Sequence, residues 1–332
     1  MSPLPRVGIT LGDPGGIGPE VVLKALTQGE SLPPAEYILF GSARILDRES
    51  KALGLSPAIR SRTTAPSGEP GLFLEPVDPA PDAALRGDMR GDIRGRPDAA
   101  NGAASFLAFE TAVARARAGL LEAVVTGPIS KTSWSLAGVK ARGHTEYLET
   151  YYPDAIMCFW SAALRVALFS HHIPLREALV RVRKDGLEAF LRRLEQGLRR
   201  LEPGHFELFV AGLNPHAGEG GLMGREEETE VEPAIRAARA AGVPANGPFP
   251  PDTVFRQVLG RPDRVAVALY HDQGLIAFKL AAFEAGVNLT LGLPFVRTSP
   301  AHGTAFDIAG RGTADPRSMV EAIRLAALSR RA

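Results

Sequence analysis

Cysteine is all but missing from this chain of 332 residues: Cys158 stands alone, so no intrachain disulfide can form and a reducing compartment is allowed. Neither sign of charge is in excess, the formal net charge being +1, which leaves no electrostatic footprint for nucleic acid. Long apolar runs are absent too. The longest, around Ala155 to Leu168, is interrupted by Ser161 and Arg165, and no membrane span is expected. The opening residues pass into Val7-Gly8-Ile9-Thr10 without a basic stretch and apolar core, so the expectation is a cytoplasmic protein without a secretory signal. No internal repeat recurs at a fixed period. Lysine is scarce: of 38 basic residues, only Lys24, Lys51, Lys131, Lys140, Lys184 and Lys279 are lysines. In a chain that writes positive charge as arginine, a lysine in a Gly/Pro-rich turn draws notice. A compact ammonium transfers protons or meets a single oxygen, which a planar guanidinium does poorly.

What is present is alternation. Length sets a prior of about two domains, and 45% hydrophobic content is enough for a substantial core. Apolar, β-branched runs at 7–10, 37–40, 122–126, 164–169, 207–213 and 265–270 read as strands. Helical patterns lie at 20–28, 103–119, 184–200, 226–241 and 316–330. Strand alternating with helix predicts a layered α/β architecture on a largely parallel sheet. The stretch 56–97, rich in Pro, Gly, Arg and Asp, reads as an irregular surface insertion with a short strand near Leu72–Leu74.

The histidines carry the most information. Of seven, several directly follow apolar strands: Ser170-His171-His172, Asn214-Pro215-His216 and His271-Asp272. Ligands of open α/β sheets bind outside the carboxyl ends of the strands. Imidazoles delivered there from three strands suit a divalent cation with open positions for substrate. His171 and His172 are neighbours, so one of them is expected to point inward. His205, before a strand, sits at the opposite end and reads as an ordinary polar loop residue.

Other turns add polar groups. Gly12-Asp13-Pro14-Gly15-Gly16-Ile17-Gly18-Pro19-Glu20 follows a strand and opens a helix, the general recipe for holding an anion or a close backbone. Val21 stands where the third glycine of Gly-x-Gly-x-x-Gly belongs, and no Gly-Lys-Ser/Thr follows; neither a Rossmann fingerprint nor a P-loop is present. Thr126-Gly127-Pro128-Ile129-Ser130-Lys131 and Gly143-His144-Thr145-Glu146 offer a hydroxyl, an ammonium and an imidazole. Farther on come Asp252, Asp272, Lys279, Asn288, Arg297 and His302. Asp252 and Asp272 suit metal ligation or the orientation of an imidazole, and Arg297 suits a bidentate clamp on carboxylate or phosphate.

Together, the Gly-Asp-Pro loop, TGPISK at 126–131, GHTEYL at 143–148, LNPHAGEGG at 213–221, PDTVF at 251–255, YHDQGL at 270–275, and NLTLGLPFVRTSP followed by HGTAFDIAG resemble the 4-hydroxythreonine-4-phosphate dehydrogenase family of pyridoxal phosphate biosynthesis. The match runs from Gly8 to about Pro316. The resemblance implies a two-domain, three-layer α/β/α fold like that of isocitrate and isopropylmalate dehydrogenases. The first domain would comprise 1–128 plus 300–332 and the second 129–299. It implies a homodimer with the active site in the interdomain cleft at the dimer interface. It also implies NAD or NADP, and one divalent cation (Zn, Mg or Co) on His172, His216 and His271, shared between subunits. Substrate contacts are implied for His144, Thr145, Lys279, Asn288 and Arg297. Lys279 with Asp252 or Asp272 is the expected proton-handling group, Lys131 the second choice, and Gly12, Asp13 and His302 the expected cofactor contacts. Two positions depart from the commoner pattern: Gly15 where alanine is usual, and Ala301 where aspartate often precedes His-Gly-Thr.

The implied reaction is oxidation of 4-(phosphooxy)-L-threonine with later loss of carbon dioxide. A sister dehydrogenase acting on 4-phosphoerythronate, 4-phosphothreonate or an aromatic cis-dihydrodiol would use the same motifs. A non-redox acyl-phosphate transferase on a related fold leaves the strand-end histidines unexplained, and a pure binding module predicts no reduction of nicotinamide.

Overall fold

The computed structural model describes residues 4–27, 32–61, 68–78, 94–201 and 204–328. In chain order its strands are β1 (Arg6–Thr10), β2 (Glu36–Gly41), β3 (Ile59–Ser61), β4 (Gly71–Pro76), β5 (Ala123–Thr126), β6 (Ile156–Trp160), β7 (Arg165–Leu168), β8 (Glu207–Ala211), β9 (Ala245–Phe249), β10 (Arg264–Ala268), β11 (Val287–Leu291) and β12 (Val296–Pro300). The α/β alternation expected from the sequence is present. Two compact units form, one from Met1–Pro153 with Leu293–Ala332, the other from Asp154–Gly292.

In the first unit the strand order is β3-β4-β2-β1-β5-β12 and every one of these pairings with a register is parallel. Val7, Ile9, Ile38, Leu39, Val124 and Val125 are all sealed from solvent. Neighbouring residues of a strand point to opposite faces, so burial of both members of a pair means the sheet is covered on both sides, as parallel sheets require. One cover is the helix Ala99–Arg117. Asp98 caps it by accepting from the backbone N–H groups of Ala100 and Asn101. The short helix Lys131–Leu136 packs so closely on it that a Cβ on Gly102 would lie 2.0 Å from the carbonyl oxygen of Ser133. Trp134 is fully buried there, its Nε1–H donating to Ser105 Oγ at 3.0 Å. These contacts draw residues 129–153 into the first unit, and the β5–β12 ladder does the same for 293–299. The expected boundaries at 128 and 300 therefore differ from the ones the packing makes.

In the second unit the order is β11-β6-β7-β10-β8-β9. The pairs β7–β10, β10–β8 and β8–β9 are parallel, whereas β11–β6 and β6–β7 are antiparallel. The long apolar run is thus two strands of a hairpin. Its turn closes through Ser161 N–H donating to Leu164 O and Leu164 N–H donating to Ser161 Oγ. The helical pattern at 226–241 is divided, a π-helical turn Glu227–Val231 preceding the α-helix Glu232–Ala240. The strand expected near Leu72–Leu74 is β4; residues 62–67 and 79–93 of the expected insertion lie outside the described residues. Among the described residues no helix is long and apolar enough to cross a membrane.

The second core gathers Phe159, Val166, Leu168, Phe209, Leu275 and Phe278. Phe278 is 1% exposed, its ring centre 5.4 Å from that of Phe159. Phe278→Ala is expected to lower unfolding stability by about 3–5 kcal/mol, measured by urea denaturation; a loss under about 1 kcal/mol would contradict this packing.

Candidate active site

Strands β7, β10 and β8 lie side by side and parallel. Their carboxyl ends therefore share one edge of the second unit, and each runs directly into a histidine-bearing turn. His172 and His271 come from adjacent strands, with ring centres 5.7 Å apart. His171 stands 5.3 Å from His172, ring centre to ring centre. A cavity of about 700 Å³ is lined by His171, His172, Asp252, His271 and Asp272. Both members of the His171-His172 pair thus face it, where one was expected. His205 is exposed before β8, at the opposite end of that strand.

The backbone at two of these histidines is costly. His172 and His216 have φ of +49° and +54°, the left-handed region that penalises a Cβ by roughly 1–2 kcal/mol. Such outliers persist where surrounding structure over-determines them, commonly at functional sites. His216 opens a left-handed run through Ala217, Gly218, Glu219 and Gly220. That run is anchored by Glu227, 3% exposed, whose Oε1 accepts from the N–H groups of Leu213 and Asn214, both at 2.7 Å. Its Oε2 accepts from Asn214 Nδ2 at 2.9 Å. Sequence reasoning missed Glu227. The available signal was the Gly-rich turn itself, whose N–H groups need an acceptor once buried.

Asp272 Oδ1 lies 2.7 Å from His271 Nδ1. An ionised carboxylate only accepts, so Nδ1 is the donor of this pair and Nε2 is the nitrogen left to face a ligand. Two imidazoles on one cation, with metal–nitrogen bonds of about 2.0–2.1 Å, have ring centres about 4.5–5.2 Å apart at octahedral to tetrahedral angles. The His172–His271 spacing is slightly wider than that. His216 is exposed and stands outside the cavity lining. Among the described residues no three His, Cys, Asp or Glu side chains converge closely enough to hold a metal within one chain. Lys279 is exposed on the helix His271–Ala282, the helix that also bears Asp272. Asn288, on β11, has its Oδ1 shielded from solvent without a hydrogen-bond partner among the described residues.

The first unit has its own polar cluster. Arg297, on β12 and 2% exposed, donates through Nη2 to Thr126 Oγ1 at 2.6 Å and to His144 Nδ1 at 3.1 Å. The His144 ring packs on Phe109 and Trp134, with centres 4.5 and 5.4 Å away. Desolvation first, and the Arg297 charge second, hold His144 well below its ordinary 6.5. It is neutral. A guanidinium can only donate, so Nδ1 is the acceptor and the ring proton sits on Nε2. That nitrogen is shielded from solvent and makes no hydrogen bond among the described residues. Burial lowers Arg297 to about 10, which leaves it cationic at neutral pH. Thr145, beside His144, is partly buried.

The Gly-Asp-Pro loop is held from two sides. Asp13 N–H donates to Pro128 O at 2.9 Å, and Ile17 N–H donates to Thr304 O at 2.9 Å. Gly12 has φ +76°, and a Cβ there would lie 2.5 Å from Pro128 O, so no other residue fits without a shift. Asp13 is fully buried, which raises its carboxyl above the ordinary range; its Oδ1 accepts from Gly15 N–H. In this conformation Asp13 shapes the loop. His302 donates from Nδ1 to Gly303 O at 3.1 Å. Lys131, exposed, begins the helix Lys131–Leu136.

The profile of a family described as "Pyridoxal phosphate biosynthetic protein PdxA" matches residues 34–326. A 4-hydroxythreonine-4-phosphate dehydrogenase of Desulforapulum autotrophicum is 40% identical over 331 residues, covering 98% of this chain and 95% of that protein. Among solved structures, the 4-hydroxythreonine-4-phosphate dehydrogenase from Klebsiella pneumoniae is similar with a TM-score of 0.80 at 39% identity, covering 97% of this chain and 98% of the other. A terephthalate 1,2-cis-dihydrodiol dehydrogenase from Burkholderia xenovorans LB400 is similar with a TM-score of 0.69 at 30% identity, covering 97% of each chain.

The depressed His144 value has a pH consequence. Below its ordinary 6.5 the unfolded chain takes up a proton that the folded ring refuses, so this group makes stability fall as pH drops through and beneath that value. Nitrogen-15 NMR should find His144 neutral with its proton on Nε2 at pH of about 6.5. Arg297→Met should raise its pKa. A wild-type imidazolium at that pH would overturn the assignment.

Proposed function

The chain belongs to the pyridoxal phosphate biosynthetic protein PdxA family, and from that premise we propose that it oxidises 4-(phosphooxy)-L-threonine to 2-amino-3-oxo-4-(phosphooxy)butanoate. That product then loses carbon dioxide to give 3-amino-2-oxopropyl phosphate. The observation that carries this reading is the shared edge at which β7, β10 and β8 present His172, His271 and His216. These three residues would hold a divalent cation, Zn, Co or Mg. When bound, that cation supplies a Lewis acid for the substrate hydroxyl, and NAD or NADP supplies the hydride acceptor.

The chain's own groups divide the remaining work. In the first unit, the buried Arg297 fork and the Nε2–H of His144, with Thr145 beside it, suit the oxygens of a phosphate or carboxylate. In the second, Asn288 and Lys279 are proposed as further substrate contacts. Lys279 with Asp252 or Asp272 handles the proton released from the hydroxyl, with Lys131 as the second candidate. Asp272 orients His271 through the Nδ1 hydrogen bond. Cofactor contacts are proposed for Gly12, Asp13 and His302, where Asp13 acts by shaping its loop.

A homodimer with a shared cation site is supported by the surface around that edge. Leu175, Ile276 and Leu280, 56%, 64% and 85% exposed, line the histidine cavity, and Phe283 is 71% exposed one turn beyond. An apolar patch of this kind is the signature of an interface, and a second copy seated on it would bring its histidines toward the same edge. A cytoplasmic setting suits the single, buried Cys158.

Chelator-treated protein, repleted with one metal at a time, decides between these readings when assayed for nicotinamide reduction. The panel is 4-(phosphooxy)-L-threonine, 4-phosphoerythronate and an aromatic cis-dihydrodiol. Turnover is expected only with metal and with the phosphorylated amino acid, and His216→Ala should abolish it. Full turnover by metal-free protein would refute the histidine role. Preference for the diol would instead favour a dehydrogenase like the one from Burkholderia xenovorans.

A further inference from the structure

The β8–β10 ladder runs in register from Glu207–Arg264 to Val210–Val267 and stops there. Past its end, the side-chain amide of Gln273 takes the place of a missing peptide. Its Oε1 accepts from Leu269 N–H at 2.7 Å, in the turn that leads to His271. Its Nε2 donates to Gly212 O at 2.8 Å, in the turn that leads to His216. Gln273 is 9% exposed, so both bonds are shielded and the backbone groups they satisfy have no ready water to replace them. On the far side of β10, Ser170 Oγ donates to Leu269 O at 2.7 Å and Phe169 N–H donates to Ala268 O at 2.8 Å. A continuous line of hydrogen bonds therefore joins the three histidine turns in the order Ser170, Leu269, Gln273, Gly212.

We infer that Gln273 is a positioning residue of the cation site, setting the spacing between the His271 turn and the His216 turn before any cation arrives. This rests on the reading of His172, His216 and His271 as the ligands. Two close approaches make the coupling stiff. A Cβ on Gly274 would lie 2.7 Å from Val166 Cγ1, so the start of the helix His271–Ala282 is pressed onto β7 and Gln273 has little room to swing. A Cβ on Gly212 would lie 2.9 Å from Ala217 Cα, so a shift of Gly212 bears directly on the residue next to His216. An amide carries a donor and an acceptor on the same carbon whatever the pH. Methionine supplies neither group and an ionised glutamate no donor.

The probe is Co²⁺ alone, titrated into chelator-treated full-length protein and followed by its visible d–d absorption. Gln273→Met and Gln273→Glu are each expected to weaken cobalt affinity by about tenfold to a hundredfold, the usual effect of losing a group that orients metal ligands, and to alter the band shape. Gln273→Glu, matched in size and retaining the acceptor, is the milder variant, expected to lose less of the metal-free melting temperature than Gln273→Met. Tyr37→Phe removes a hydrogen bond to Pro33 O in the other unit and should leave cobalt binding unchanged. A folded Gln273 variant with wild-type affinity and spectrum overturns the inference. If His216→Ala binds cobalt as the wild type does, the ligand assignment itself falls.

Discussion

Parallel pairing of β7, β10 and β8 is the constraint on which the rest of the site depends. Parallel strands point their carboxyl ends the same way, and neighbouring strands stand about 4.8 Å apart. Three turns that follow them have no choice but to crowd one edge. Where each histidine stands along that edge is then set by local backbone geometry, which is left-handed at His172 and His216. The energy of that geometry comes from nearby burial and hydrogen bonding. The three bonds to the Glu227 carboxylate hold the His216 turn, and charge-assisted bonds of this kind are worth about 1.5–3 kcal/mol each. Each left-handed residue costs about the same, so a turn with a single anchor would relax.

The first unit solves a different problem, that of keeping a cation out of water. Arg297 is sealed on β12 with Thr126 and a neutral His144 as acceptors. Burial of the imidazole keeps it unprotonated and the guanidinium fixes its tautomer. The result is a fork and an N–H donor whose directions are fixed by the fold. Preorganisation of this kind removes the reorganisation that a flexible surface lysine would require. The same logic runs through the Gly-Asp-Pro loop, where the close approach of Pro128 to Gly12 and the Thr304 bond to Ile17 leave the turn one shape.

Much of this was legible in the linear chain. Runs such as Val7–Thr10 and Val265–Leu269 announce strands because burial on both faces demands continuous apolar residues. His172, His216 and His271 stand out because polar ring residues follow those runs at once. The antiparallel hairpin of β6 and β7 was hidden, since an apolar stretch broken by Ser161 has the same composition whichever way its halves pair. Residues 129–153 were expected in the second domain and pack with the first unit, because nothing in their periodicity says which helix Trp134 packs against. Gln273 and Glu227 read as ordinary polar residues of helical segments.

Secondary structure, the family motifs and the identity of the histidines belong to the amino-acid order, because they follow from local periodicity and from the chemistry of single side chains. Strand order, the tautomer of His144 and the work of Gln273 and Glu227 belong to the tertiary fold. Each depends on what lies opposite a given atom, and that neighbour lies outside the local helix or turn: Leu213 and Asn214 for Glu227, Gly212 for Gln273, Arg297 for His144. Hydrogen bonds and desolvation act through space over a few ångströms, and only the folded chain decides which groups share that distance.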